Sequence, residues 1–530
     1  MLVTVPETVP VIISGGEILS KKQGVFLGSA VFLGLLIGIL CFQIKGNQVA
    51  YKNYEGRVFY EIFVRAFNDT NQDGIGDLKG VTAKLDYLEE LGIRGIWLMP
   101  ITKATSYHGY DTEDYYAIDE DYGTLEDLKE LIKEAHKRDI KVVMDLVINH
   151  TSNKHPYFIE ASANENSPYR DYYIWNKDME KKNEKSPMST LAWVQNGSKE
   201  ELYYAIFDKG MPDLNFENPK VEEEMQEIAK YYLDIGIDGF RLDAAKWIYN
   251  TKDKNIEFWN RFREFIRKQN KEAILIAEIW DNPYNISEYA SVFNSFFSFN
   301  IGESILKGVR NKELSSIVDE YIVLAKRYKE KSEDFVIAPF LTNHDQDRIM
   351  SMLEGDKDRM KIAATIYLTL PGTPFVYYGE ETGMLGVKPD EHIREPFIWS
   401  EQDSDQNTSW ITSTNPLKEV ALDNQIEDST SLYNHYKQLI NLRNTYKPLS
   451  IGSMEKIETS SWKTYATKRV YKDETIYILA SLDEKEETIN LDEGTYKVLY
   501  TNGTNMDNSD NCTNEITLKE KDIYILLKTR

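Results

Sequence analysis

Cysteine is almost absent, with two in 530 residues, Cys41 and Cys512. Cys41 lies in an apolar stretch of membrane-spanning length, so the two make no mutual disulfide and say nothing about redox compartment. Positive charge is also short: 62 Lys and Arg stand against 86 Asp and Glu, a net charge of −24. That balance excludes a nucleic-acid partner, because nothing would neutralise phosphates. The acidity is spread along the chain rather than run into a tail, and reads as a solvating surface. Apolar and aromatic residues are plentiful, at 42% hydrophobic with 34 Tyr and 9 Trp. This is enough for a large core, and the surplus of rings also suits stacking on sugars.

Lys21-Lys22 precede an uncharged run at 23–44 that is about the length of a bilayer span. The basic flank favours a cytoplasmic N-terminus. The expectation is a disordered tail at 1–22, a retained single-pass anchor at 23–44 (a cleaved signal segment is the alternative) and a linker at 45–55. The remainder then lies outside the cytoplasm, at the cell membrane or secreted. From residue 56 apolar runs alternate with helical periodicity. Strands are expected at 58–64, 93–100, 141–147, 237–242, 273–277, 292–299, 335–340 and 375–378, with helices such as 78–91 and 125–138 between most of them. Strands apolar on both faces are buried parallel strands. Eight such units predict an α/β fold, a (β/α)8 TIM barrel built from 56–149 and 216–445. Asp145 and Asp243 are 98 residues apart, where one barrel unit needs roughly 30. The polar, turn-rich excess at 150–215 reads as a domain inserted after strand three. Short alternating strands at 446–530 predict an all-β C-terminal domain, a sandwich.

Sites of such barrels form where the strands end. Strand three ends Asp145-Leu146-Val147-Ile148-Asn149-His150, strand four carries Arg241 and Asp243, strand five ends in Glu278 and strand seven runs into Asn343-His344-Asp345. Arg241 and Asp243 are two apart on an extended chain and point the same way. A guanidinium beside a carboxylate should keep it ionised. Three acids from three strands at one rim are costly to bury as mere structure.

These segments, with Gly239-Phe240-Arg241-Leu242-Asp243-Ala244-Ala245-Lys246 and Glu278-Ile279-Trp280, resemble the four core motifs of the α-amylase family, glycoside hydrolase family 13. Met211-Pro212-Asp213-Leu214-Asn215 resembles a fifth, in the form of groups between oligo-1,6-glucosidases and neopullulanases. The resemblance covers roughly 55–530 and implies retaining hydrolysis of α-1,4 bonds in starch-like oligosaccharides, an α-amylase. It implies Asp243 as nucleophile, Glu278 as general acid then base, and Asp345 as stabiliser of the distorted sugar. It further implies His150, His344 and Tyr110 as sugar contacts, with Arg241 beside the nucleophile and Lys246 just past the cleavage point. Glu278 should have a raised pKa from burial beside Ile279 and Trp280 and from Asp243. A retaining pair sits about 5–5.5 Å apart.

Asp69-Thr70-Asn71-Gln72-Asp73-Gly74-Ile75-Gly76-Asp77 sets oxygens at alternate positions round a glycine turn, the donor chemistry calcium prefers. Asp69, Asn71, Asp73, the Ile75 carbonyl and Asp77 are the expected ligands; the related α-glucosidases carry calcium in a matching loop. Trp247 departs from the family, where many α-amylases have a histidine whose carbonyl helps hold a second calcium with Asn149. Arg394-Glu395-Pro396-Phe397-Ile398-Trp399 resembles a segment of oligo-1,6-glucosidase-type enzymes, which leaves an α-1,6 or neopullulanase-like specificity open. A non-catalytic partner, like the heavy chains of amino-acid transporters, is the reading from another class. The chain is expected to be a monomer.

Overall fold

The computed structural model describes residues 54–529 apart from 189, 403 and 503–510. The expected anchor at 23–44 lies outside the described residues, and no described helix is long and apolar enough to cross a membrane.

Eight strands make one sheet: β1 (Phe59–Ile62), β2 (Gly95–Leu98), β3 (Lys141–Leu146), β4 (Gly239–Leu242), β5 (Ile274–Ala277), β6 (Ser295–Phe297), β7 (Val336–Ala338) and β8 (Phe375–Tyr377). Their order is β7-β6-β5-β4-β3-β2-β1-β8, and every paired neighbour is parallel. No ladder joins β7 to β8. Two backbone hydrogen bonds close that seam, Thr373 N–H to the Ile337 carbonyl and Phe375 N–H to the Pro339 carbonyl, both 2.9 Å. Gly372 permits the approach: with φ +120°, a Cβ there would lie 2.2 Å from the Ile337 carbonyl oxygen. The barrel was legible because its strands are buried on both faces. Alternate residues divide between two cores, Phe59, Trp97, Val143, Ile274 and Ile276 filling the inside while Tyr60, Ile96, Val142 and Leu275 pack outward against the helices. The sixth strand is shorter than the expected 292–299, because Phe299 already begins the helix Phe299–Asn311. The expected helix at 78–91 is broken at Lys84 into Leu78–Ala83 and Leu85–Leu91.

After β3 the chain forms the helix Pro156–Ala163 and a small three-stranded sheet of Trp175–Asn176, Leu202–Tyr204 and Trp193–Gln195. Bridges His150–Asp213 and Tyr173–Leu214 pair segments within the insertion, and Leu214 N–H donates to the Asn149 carbonyl at the barrel rim at 2.9 Å. The C-terminal region is a six-stranded sheet, whose described pairings are all antiparallel, and a two-stranded ribbon. In Glu474–Ser481, Ile476, Ile478 and Ala480 face the core shared with the barrel, while Tyr477 and Leu479 face the ribbon residues Ile489, Ile516 and Leu518. Both faces of that sheet are therefore covered.

Candidate active site

The inside of the barrel changes character along its axis. Phe59, Val143 and Trp97 form an apolar floor, and two residues further on in β1 and β3 the same inward parity delivers Glu61 and Asp145. Arg241, 1% exposed, stands in this layer and binds three acids at once. Its Nη1 donates to Asp145 at 2.8 Å and to Asp243 at 2.6 Å, and its Nη2 lies 3.0 Å from Glu278. The expected contact of Arg241 with Asp243 is present, and the same guanidinium also serves acids from two further strands. Burial works to discharge it, but Asp145, Glu278, Tyr110 and Asp243 together hold it well above the ordinary arginine range.

This sharing decides the electrostatics. Burial raises Asp243 above the ordinary aspartate range, against Arg241 and with Asp345 adding to the rise. Sequence reasoning expected the reverse, because it counted the cation and not the desolvation. Burial raises Glu278 to about 7 against Arg241, with Asp243 and Asp345 contributing. The rise was expected but its surroundings were not: Ile279 is buried, whereas Trp280 is 48% exposed and stacks on Phe299 at the rim. Burial would raise Asp345 too, but His344, Arg394 and Arg241 hold it low. The acids are thus driven apart, Glu278 upward and Asp345 downward.

Backbone geometry just past Asp243 is specialised. Ala244 takes φ 49°, a left-handed conformation that costs a residue with a Cβ about 1–2 kcal/mol. Its amide is thereby turned to donate to Glu278 Oε2 at 3.0 Å.

The structure brings the expected sugar contacts together around an open cleft of about 310 Å³, lined by His108, Tyr110, His150, Asp243, Glu278 and Asp345 among others. Tyr110 stacks on the His344 ring and donates its hydroxyl to Asp145 at 3.1 Å. His150 Nε2 meets the Tyr110 carbonyl at 3.0 Å, so it holds the loop that carries Tyr110. Burial lowers its pKa to about 4, and it is neutral. Lys246 stands on the other side of Glu278. Its Nζ donates to the Trp280 carbonyl at 2.7 Å, and it lines a second cavity of about 410 Å³ with Met188, Phe207, Trp247 and Trp280.

Sequence reasoning missed several participants. Arg394 donates to the Asp345 carboxylate at 3.2 Å and to the His344 carbonyl at 2.9 Å, although its segment had been singled out for another reason. Asp145 was quoted in a motif without a role. His108 lies two residues before Tyr110, in the same segment, but had been given no role; Phe207 and Glu61 carried no signal, because each comes from an element whose contact with the site only the fold creates.

In the expected calcium loop, donors and hydrogen bonds interleave. Asp69 accepts the amides of Asn71, Gln72 and Gly74; Asp73 accepts that of Ile75; Asp77 accepts from Thr70 and caps the next helix through Gly80 N–H. Among the described residues no three His, Cys, Asp or Glu side chains converge as a metal cluster. The donor set is nevertheless all oxygen, two of its carboxylates are buried, and it fits a hard cation in chemistry. At the second position considered, Asn149 donates to the Trp247 carbonyl at 2.8 Å, and Asp213 is buried with its Oδ1 unpartnered.

Comparison with known proteins bears on this geometry. The family model described as "Alpha amylase, catalytic domain" matches residues 61–452. "Alpha-amylase 3" of Dictyoglomus thermophilum is 44% identical over 463 residues, 87% of this chain and 91% of that protein. "Oligo-1,6-glucosidase" of Parageobacillus thermoglucosidasius is 32% identical over 511 residues, 82% of this chain and 91% of the relative. The crystal structure of an α-amylase from H. orenii superposes with a TM-score of 0.82 at 39% identity, covering 89% of this chain and 99% of that one.

Proposed function

The chain belongs to the α-amylase family and is an α-amylase-type glycoside hydrolase, and from that premise we propose that it cleaves α-1,4-glucosidic bonds of malto-oligosaccharides with retention. The observation that carries the reading is Arg241 bridging Asp243 and Glu278, a close acid pair at the mouth of one cleft. In the first step the Asp243 carboxylate attacks the anomeric carbon as the bond from that carbon to the glycosidic oxygen breaks, and protonated Glu278 gives its proton to that oxygen, which departs as the alcohol of the released chain. In the second, water attacks that carbon, its proton passes to Glu278, and Asp243 leaves as carboxylate. Asp345, held anionic, faces the positive charge that develops on the sugar.

The substrate is tested with maltoheptaose, isomaltose and pullulan. Release from maltoheptaose is expected; turnover of isomaltose alone would replace the reading with the α-1,6 one that the oligo-1,6-glucosidase relative and the Arg394 segment favour. The loop 69–77 is proposed to hold calcium through Asp69, Asn71, Asp73, Asp77 and the Ile75 carbonyl, a structural ion that fixes the loop before the helix Leu78–Ala83. Chelation should then lower the melting temperature, and calcium should restore it; an unmoved transition ends that proposal. Anchoring through residues 23–44, with the barrel outside the cytoplasm, is likewise proposed, and carbonate extraction of membranes tests it.

A further inference from the structure

Glu61 is buried at 2% exposure on β1 and belongs to none of the roles above, yet it meets His344 at 2.5 Å, Oε1 to Nδ1. The other ring nitrogen tells which way the protons lie. His344 Nε2 lies 2.6 Å from the Tyr110 hydroxyl and 3.3 Å from Asp345 Oδ2. The Tyr110 hydroxyl has one proton and two acceptors within reach, His344 Nε2 and Asp145 Oδ2 at 3.1 Å; the carboxylate bonded to Arg241 is the one that can only accept, and we assign the proton to it, with Arg241 Nη1 approaching the hydroxyl at 3.4 Å. Both neighbours of Nε2 therefore present lone pairs, so Nε2 carries a hydrogen. His344 is buried and neutral, with burial lowering its pKa to about 3. A neutral imidazole with hydrogen on Nε2 has a bare Nδ1. The hydrogen in the 2.5 Å contact must then come from Glu61.

We propose that Glu61 is a positioning residue that works as the un-ionised acid: its O–H donates to His344 Nδ1 and so fixes the ring with Nε2–H directed into the cleft. The surroundings agree. Glu61 faces Asp145 from β3, Arg241 from β4, Asp345 and the His344 backbone N–H from the loop after β7, and Tyr377 from β8. Burial dominates and raises Glu61 well above the glutamate range, with Asp345 and Asp145 adding to the rise and Arg241 and the His344 amide opposing. Two acids against one guanidinium shared three ways leave no counter-ion for a fourth carboxylate. Were Glu61 ionised, Nδ1 would take the ring hydrogen, and Nε2 would turn a lone pair on Asp345 and on the sugar hydroxyl it is read to bind.

The inference rests on the glycosidase reading for its consequence, but not for its test. In the full chain with ring-¹⁵N-labelled histidine, one of the 7 histidines is assigned to His344 by its loss in His344→Gln. Its shifts should show protonated Nε2 and bare Nδ1 at neutral pH, whether or not any glucan is turned over. A protonated Nδ1 overturns the proposal. In kinetics on maltoheptaose, Glu61→Gln keeps a donor to Nδ1 and an acceptor for the His344 amide, so kcat should stay within about threefold, whereas Glu61→Met should lower kcat about 100-fold with a smaller change in KM. Equal losses in the two variants would show that the carboxylate charge is needed, and overturn it. Should Glu61→Met not fold, the resonance pattern of Glu61→Gln, expected to match the wild type, still decides.

Discussion

Two groups of buried acids lie on either side of the barrel wall, and they behave differently. In the mouth, Asp145, Asp243 and Glu278 share Arg241 beside an open cleft. Behind the wall, just past β8, Glu380 and Glu381 are sealed among tyrosines. Glu380 accepts the hydroxyls of Tyr367 at 2.7 Å and Tyr436 at 2.8 Å; Glu381 accepts those of Tyr60 and Tyr87, each at 2.5 Å. The second oxygen of each is buried without a partner. Burial raises Glu380 to about 8, as it raises Glu278 to about 7. A displaced pKa is therefore common to both and does not distinguish chemistry from architecture. The mouth differs in having a cation bonded to several acids and a route for ligand. The tyrosine cluster has neutral donors and no opening, and its acids are comfortable only as long as they keep their protons.

Substitutions should separate the two groups sharply. The largest effect is expected for Asp243→Asn, which should lower kcat by about 10⁴-fold or more while leaving oligosaccharide binding measurable by calorimetry. Rates near wild type would remove Asp243 from the nucleophile role. Glu278→Gln should cost about 10²–10⁴-fold on substrates with poor leaving groups. Because Glu278 must be protonated to act as acid and its pKa is raised to about 7, wild-type kcat/KM should fall as pH rises through about 7. That alkaline limb should vanish in the variant; its persistence would assign it elsewhere.

Glu380→Gln should leave kcat within about twofold and act on stability instead. The folded protein keeps the Glu380 proton up to about pH 8, whereas an unfolded glutamate loses it near about 4.3. Between those values the native state binds the extra proton, so stability falls as pH rises across the window. Glu380→Gln should flatten this slope, making the variant more stable than wild type at pH 8 by about 1–3 kcal/mol in denaturant titrations. An unchanged slope would deny the tyrosine cluster its stored proton. The smallest change is expected for Trp280→Ala, where losing the exposed ring at the rim should raise KM about fivefold at constant kcat.

Much of the barrel could be read from the chain because buried parallel strands are written as unbroken apolar runs. The acids Asp243, Glu278 and Asp345 were visible for a related reason: each follows such a run closely, and strand ends converge. Tyr110 and His150 came only through the family resemblance. What stayed hidden was contact between distant segments. Glu61 meets His344 across 283 positions, and nothing local to a strand reading Phe59-Tyr60-Glu61-Ile62 marks one acid as a partner of a histidine. Glu380 and Glu381 sit beside Tyr377-Tyr378 in sequence, yet their hydroxyl donors come from Tyr60, Tyr87, Tyr367 and Tyr436. The direction of the Asp243 shift failed for a similar reason, since desolvation is set by what the fold piles around a group.

The unlaced join between β7 and β8 has a mechanical consequence. Seven joints of the barrel are strand pairings, that of β5 and β6 through the single pair Ala277–Phe296, and the eighth is held by two backbone hydrogen bonds. His344 and Asp345 stand on the β7 side of that seam and Arg394 on the β8 side. Asp145, Arg241, Asp243 and Glu278 stand on or just past β3, β4 and β5, in the laced part of the wall. Above the seam, Arg394 reaches back to Asp345 and the His344 carbonyl, and Arg348 reaches forward to the Tyr378 and Ile393 carbonyls, so two arginines buckle at the mouth the ring that the backbone leaves unlaced.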